Sequence, residues 1–257
     1  MSAKVKVCSF NLRIDNESDG VNKFTNRTGR IKEVIDNEAP DIIGFQEMKD
    51  GMFATLLQML PEYTFVGCGR NKDYRGESTR IALKRDKFEI ISSETFWLSN
   101  TPDVAGSTFG EDQSGCPRIM TVAKVKPIDA TELLLVCNTH LDHKGVSARL
   151  LGASHVMQYI SDFDEKFVLT GDFNAKPDEA SMRLITGVIH KGRKVVDLAE
   201  NTEPTFHGFG ARPEIKIDYI FSDAEPIPDS AKTVIYPPID GVYVSDHHPV
   251  IAEIILE

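Results

Sequence analysis

Cysteine is scarce: the 257 residues contain four, Cys8, Cys68, Cys116 and Cys137, with no CxxC spacing and no pairing pattern. Cys8 and Cys137 fall inside apparent strands, which reads as buried reduced thiols rather than a disulfide framework. Long apolar runs are also missing. No segment could span a bilayer, and MSAKVKVCSFN lacks the apolar core of a signal peptide, so the expected location is the cytoplasm. No Lys/Arg-rich run occurs, and the net charge is −10. A long polyanion wants a basic stripe that releases counterions, so duplex DNA is not an expected partner. A small anionic substrate held by a few arginines and a metal stays open. Trp97 is the only tryptophan and is read as a packing residue, not a base-stacking one. No linker, low-complexity run or repeat interrupts the chain. With 41% hydrophobic residues, one domain over 1–257, a monomer, is expected.

What is present is a succession of short apolar strands with a few amphipathic helices. Strands are predicted at Val5–Phe10, Asp41–Gln46, Thr64–Gly67, Arg80–Lys84, Phe88–Leu98, Arg118–Val125, Glu132–His140, Phe167–Thr170, Glu214–Phe221 and Val250–Leu256. Helices are predicted at Arg27–Glu38 (Ile31, Val34 and Ile35 at i, i+3, i+4), from Asp50, at Ala148–Phe163 and around Glu179–Ile185. Residues 13–26 and 99–117 read as loops. The pattern suggests two mixed sheets packed face to face with helices outside.

The stretch FVLTGDFNAKP (Phe167–Pro177) is the most informative. Alone it reads as a strand followed by an Asx-turn. In extended chain, however, Asp172 and Asn174 would share one face and could hold and activate a water. The same pattern recurs. Asn11, Glu47, His140, Asp172, Asn174 and Asp246-His247 each stand where an apolar strand runs out, and such residues on one rim can converge on a pocket. Asp218, inside a half-buried strand, needs a partner. The oxygen ligands Glu47, Asp246, Asn11 and Asp172 suit Mg²⁺ or Mn²⁺ rather than Zn²⁺. His155, His190 and His207 are read as surface or loop histidines, and His248 as structural.

FNLR, GFQE, NTHLD, TGDFN, IDYIF and SDHHPV, in that order, resemble the exonuclease–endonuclease–phosphatase superfamily. TFWLSNTPDVAGS (Thr95–Ser107), PRI (Pro117–Ile119) and THLDH resemble a bacterial branch of stand-alone domains. Phe24, where that branch usually has tryptophan, and Ser78-Thr79-Arg80 depart from it near the presumed substrate rim. The resemblance implies a four-layer α/β sandwich, two mixed central sheets flanked by helices. It implies a Mg²⁺-dependent phosphoesterase cleaving a phosphodiester in a small or short single-stranded substrate. The alternatives are a phosphomonoesterase for sugar or inositol phosphates and an inactive binding domain on the same fold.

By the same resemblance, Glu47 is the main metal ligand, with Asn11 and Asp246 nearby. Asp172 and Asn174 position the water, and His140 donates to a phosphoryl oxygen. His247, steadied by Asp218, either accepts the proton or contacts phosphate as an imidazolium. Glu77 lies in GRNKDYRGES, similar to the deoxyribonuclease I segment that supplies a glutamate to its first histidine, so a Glu77–His140 hydrogen bond is expected. Arg27, Arg118 and Arg149 are candidate phosphate contacts because guanidinium forks suit phosphates, although Arg149 reads equally well as a helix-surface residue. Asp142 is a candidate contact to a sugar hydroxyl or a metal-bound water.

Overall fold

The computed structural model describes residues 2–110 and 112–257. Strand β1 (Ala3–Asn11) leads through a 3-10 turn (Glu17–Asn22) to helix α1 (Phe24–Glu38). Strand β2 (Ile42–Gln46), helix α2 (Asp50–Met59), and strands β3 (Tyr63–Val66) and β4 (Ile81–Lys84) follow. Strands β5 (Phe88–Trp97), β6 (Ile119–Pro127) and β7 (Leu134–His140) form an antiparallel meander. Helix α3 (Val146–Ser161) then carries the chain to β8 (Lys166–Asp172), parallel to β7. Helix α4 (Ala180–Thr186) precedes the short strands β9 (Ile189–His190), β10 (Arg193–Lys194) and β11 (Val196–Asp197). The chain closes with β12 (Asp218–Ser222), β13 (Glu225–Pro226), β14 (Lys232–Thr233) and β15 (Val250–Leu256).

Two mixed sheets result. One is ordered β13–β15–β1–β2–β4–β3, with β14 also on β15; the other is β11–β12–β8–β7–β6–β5. Both faces of each sheet are covered, which is why strands such as β7 are apolar at successive positions rather than alternating. On β7, Leu134 and Val136 face the space between the sheets with Val7, Ile42 and Ile220, while Leu135 and Cys137 meet Val156 and Ile160 of α3. Helices α1 and α2 cover the other outer face, packing Ile31, Val34, Met52 and Leu56 on Phe10, Phe45 and Ile251. The architecture is the expected four-layer sandwich.

Directly beneath the rim, the apolar seam between the sheets gives way to a polar lock. Asn138 on β7 donates to the backbone oxygens of Phe45 (2.8 Å) and Arg80 (3.1 Å), and its Oδ1 accepts from Gln46 (2.7 Å) and Thr170 (3.0 Å). Gly44 makes this approach feasible: a Cβ there would lie 2.0 Å from Thr170 Oγ1 and 2.7 Å from Asn138 Oδ1. All the polar atoms of the Asn138 amide are partnered across this seam, and a buried network of this kind fixes how two layers sit on each other.

Several expectations change. The strand predicted at 214–221 begins at Asp218, because Ile215 pairs with Phe206 and Thr205 Oγ1 takes the amides of Ile217 and Asp218. His190 and His207 are buried, not surface residues. The His190 ring lies between Asp223 (2.6 Å) and the Phe163 carbonyl (2.9 Å), and His207 stacks on His248. Trp97 packs edge-on against Tyr74 and donates to the Arg70 carbonyl, as a loop-packing residue would. No helix among the described residues is long and apolar enough to cross a membrane.

Candidate active site

Strand register builds the centre of the site. His140 at the end of β7 is paired with Asp172 at the end of β8, and Asp172 with Asp218 at the start of β12, so three ionisable residues stand in one row. His247, on the loop before β15, closes on this row: its Nδ1 is 2.8 Å from Asp218 Oδ2, and its Nε2 is 3.8 Å from Asp172 Oδ2. His140 Nε2 approaches the same Asp172 oxygen to 3.5 Å.

The other sheet supplies Asn11 and Glu47. Glu47 follows β2 with a left-handed backbone (φ 60°), and this turns its carboxylate toward the end of β1. Its Oε2 accepts from the Ile14 amide at 2.7 Å, and its Oε1 from Asn11 Nδ2 at 3.2 Å. Asn11 Nδ2 also donates to Asp172 Oδ2 at 2.9 Å, so one amide nitrogen ties carboxylates from the two sheets together. Asn11 Oδ1 is taken by the Arg13 amide at 2.9 Å. The expected role of Asn11 as an oxygen ligand does not match this geometry; its amide orients the Glu47 and Asp172 carboxylates instead.

Asn174 is also left-handed (φ 48°), and its amide donates to Asp172 Oδ1 at 2.9 Å. The segment is thus the Asx-turn, and the extended-chain reason for placing both residues on one face does not hold. The turn nevertheless delivers both to the site. Asn174 Nδ2 donates to the Leu141 carbonyl (3.1 Å) and faces His140 Nε2 (3.0 Å). Only an amide nitrogen can face a carbonyl, so His140 Nε2 accepts and its proton resides on Nδ1.

Burial and neighbours separate these groups electrostatically. Burial alone would lower His247, but Asp218, Asp172 and Asp246 outweigh it and carry the imidazolium up to about 10. Burial, with Arg118 and Arg70 nearby, holds His140 well below the ordinary histidine value, hence neutral. Asp172 is raised by burial and then by Asp218 and Glu47, against the opposing His247 charge. Burial also raises Asp246.

The groups line an open cleft of about 680 Å³. Arg13, Arg70, Arg118 and Arg212 face it, and Phe206, Phe209, Ile215 and Ile217 form an apolar wall. Phe206 lies 4.9 Å, ring to ring, from His247. Of these, only Arg118 was legible as a candidate. Arg13 had a signal in its position two residues after Asn11, and Arg70 and His143 lie in the segments GRNKDYRGES and THLDH without being singled out; Arg212 had no signal. Arg13 is held by Asp19 (2.9 Å) and lies 3.8 Å from Asp246.

Besides Asn11, four predicted residues do not act as expected. Glu77 accepts from Arg70 at 2.6 Å, while the ring nitrogen of His140 is partnered by Asn174, so the Glu77–His140 bond is not formed. Arg27 is fully buried, donates to the carbonyls of Asn22, Leu12, Val244 and Arg13 at 2.6–3.0 Å, and does not line the cleft. Arg149 is buried against Glu179 (2.9 Å) and the Asp142 carbonyl (3.2 Å). Asp142 accepts from Ser114, Lys144 and Gly145 and so ties two loops rather than facing the cleft.

Among the described residues, two groupings have ligand atoms within 4.8 Å of one another: Glu47, His140 and Asp172, and Asp172, Asp218 and His247. The first, with Asp246 nearby and without a thiolate, has the donor chemistry of a hard divalent cation. Like charge and burial acting together on Asp172 are also what a bound cation would relieve.

Comparison with known proteins identifies the family of this fold. An endonuclease/exonuclease/phosphatase from Bacteroides vulgatus superposes with a TM-score of 0.90 at 31% identity, over 99% of this chain and 100% of that one. A mannosyl-6-phosphatase from Bacteroides thetaiotaomicron gives 0.82 at 28% identity, over 96% and 98%. An uncharacterized protein of Acanthamoeba polyphaga mimivirus is 27% identical over 161 residues, and the match spans only 60% of that relative's length. The model of the Endonuclease/Exonuclease/phosphatase family matches residues 8–247, and the chain belongs to that family.

Proposed function

We propose that this protein is a Mg²⁺-dependent phosphoesterase, Mn²⁺ substituting, that hydrolyses a small phosphorylated substrate and works as a cytoplasmic monomer. The observation that carries this reading is the row His140–Asp172–Asp218, closed by His247 on one side and Glu47 on the other. Glu47 and Asp246, with Asp172 beside them, would hold the cation, which when bound offsets charge on the phosphoryl oxygens and the leaving oxygen. Asn11 fixes the spacing of Glu47 and Asp172.

Asp172, raised by burial and like charge, takes the proton of the attacking water. Asn174 spends its amide hydrogens on Leu141 and His140, so its Oδ1 is the atom left to accept from that water. His247, carried up to about 10, serves as an imidazolium against the phosphoryl group and not as the base. His140 is neutral, and its donor is Nδ1.

Two bond types fit: a phosphodiester, as the motifs imply, and a sugar phosphomonoester, which the similarity to the Bacteroides mannosyl-6-phosphatase favours. Cleft size suits a small molecule or the end of a single strand. The test is an assay on mannose 6-phosphate, p-nitrophenyl phosphate, bis-p-nitrophenyl phosphate and short single-stranded RNA and DNA, with Mg²⁺, with Mn²⁺ and with EDTA. Metal-dependent hydrolysis of at least one is expected; no hydrolysis of any, or hydrolysis indifferent to EDTA, overturns the reading.

A further inference from the structure

Arg118 is 5% exposed, so its guanidinium is a buried cation, and such a group needs compensating charge and hydrogen bonds. It has little of either. Its one carboxylate contact, Asp142 Oδ2, is long at 3.4 Å, and that oxygen is already taken by the Ser114 hydroxyl. Nη2 meets Nδ1 of His143 at 2.9 Å, where an uncharged ring must accept. Nη1 is buried with no partner.

Arg118 lies on the wall of the cleft, which is also lined by His143, in contact with Arg118, and by Arg70, which is paired with Glu77 at 2.6 Å. This flank differs from the reacting centre. No carboxylate of the Glu47–Asp172–Asp246 group lies within ion-pair distance of Arg118 among the described residues; His140 separates them and senses the Arg118 charge. A guanidinium on the cleft wall whose contacts to Asp142 and His143 leave its charge poorly compensated and its Nη1 without a partner among the described residues matches a carboxylate or phosphate better than a neutral hydroxyl.

We infer that Arg118, with Arg70 and His143, forms a subsite for a second oxyanion of the substrate, so that the preferred substrate is a phosphate ester carrying a further phosphate or carboxylate group. This rests on the phosphoesterase reading and names its substrate class. Asp142 acts here as a positioning residue, since it fixes the loop from Ser114 to Arg118 against the Lys144–Gly145 turn.

The test compares kcat/KM, with Mg²⁺, within two matched pairs: glucose 1,6-bisphosphate against glucose 6-phosphate, and 3-phosphoglycerate against glycerol 3-phosphate. In the wild type the doubly anionic member of at least one pair is expected to be favoured by tenfold or more, mainly through KM; the pair that shows it identifies the anion. Arg118→Gln is expected to bring that ratio close to one. If Arg118→Gln does not fold, as judged by thermal melting, Arg118→Lys replaces it: a point charge without the fork should lose part of the preference. Equal kcat/KM within both wild-type pairs, or a preference that survives the Arg118 variants, overturns the subsite. Hydrolysis of none of the four compounds by a protein that cleaves bis-p-nitrophenyl phosphate also overturns the subsite, whereas absence of Mg²⁺-dependent hydrolysis of these four and of every substrate in the phosphoesterase assay instead overturns the phosphoesterase reading.

Discussion

Asp218 Oδ2 lies 2.8 Å from His247 Nδ1, in a buried contact that joins the start of β12 to the loop before β15. The carboxylate fixes both the ring plane and the charge of His247. With Asp218, Asp172 and Asp246 around it, the ring is carried up to about 10, so the imidazolium persists throughout the neutral range and is lost only as pH rises through that value. Asp218→Asn removes the main opposing charge and lets the His247 value fall toward the ordinary 6.5 or so. The variant is expected to lose kcat by roughly 100-fold, as typical of one acid–base or clamp group. Its pH–rate profile should fall from neutral pH upward, where the wild type holds. An alkaline limb in the same place for both proteins would sink the assignment.

Glu47 stands at a left-handed turn whose purpose is the aim of its carboxylate. Glu47→Gln keeps the shape and an acceptor for Ile14 but removes the charge. Mg²⁺-stimulated hydrolysis should be abolished, together with the rise in Tm that Mg²⁺ gives the wild type by binding the folded state. The Tm in EDTA should be nearly unchanged. Full activity of this variant at ordinary Mg²⁺ contradicts its place as main ligand.

Arg27 is a structural clamp and not a substrate contact. Its guanidinium gathers carbonyls from loop 12–22 and from Val244, the strand-free approach to Asp246. Arg27→Met fills much of the volume but orphans these oxygens, at a cost of about 3–5 kcal/mol. A fall in Tm of roughly 10 °C is expected. A variant that melts like the wild type but shows a raised KM would restore the substrate-binding role.

Asp142 gives a pH signature for stability. Burial pushes its carboxyl up, but the Gly145, Ser114 and Lys144 donors prevail and hold it below the usual carboxylate range. A depressed folded value stabilises the protein above the unfolded value, about 3.9, and that contribution is lost as pH falls toward the folded one. Asp142→Asn should therefore lower the Tm at pH 7 by more than it does at pH 3. An equal gap at the two pH values would show that charge is not what Asp142 contributes.

The layers and the rim were legible because the central strands β1, β2, β7 and β8 are largely apolar and run out on polar residues that the core does not require. Asn11, Glu47, His140 and Asp172 were found in this way, and the site does gather them. Arginines were the poorest guide. A long side chain with a fixed charge reads the same whether it lies under the rim, as Arg27 does, or on the cleft wall, as Arg118 does. The partner of Glu77 was hidden for a similar reason: the loop from Gly69 to Ser78 folds back on itself, Arg70 N to Glu77 O at 2.9 Å, and sets Arg70 beside the carboxylate. His190 looked like a loop residue because its partner Asp223 is 33 positions away. Two-residue strands such as β9 and β13 carry too little pattern to be read at all.

Gly44 sits on the inner face of β2, three residues before Glu47, and its missing Cβ leaves room for Thr170 and Asn138 of the facing sheet. Asp172 follows Thr170 by two residues. The gap that Gly44 permits is thus carried upward into the distance between two carboxylates that belong to different layers. Even one methyl group at position 44 would act as a wedge at the base of a pair of tongs, opening the tips while leaving each arm intact. On the proposed reading, the size of cation that Glu47 and Asp172 would grip together is in this sense set by a residue with no side chain.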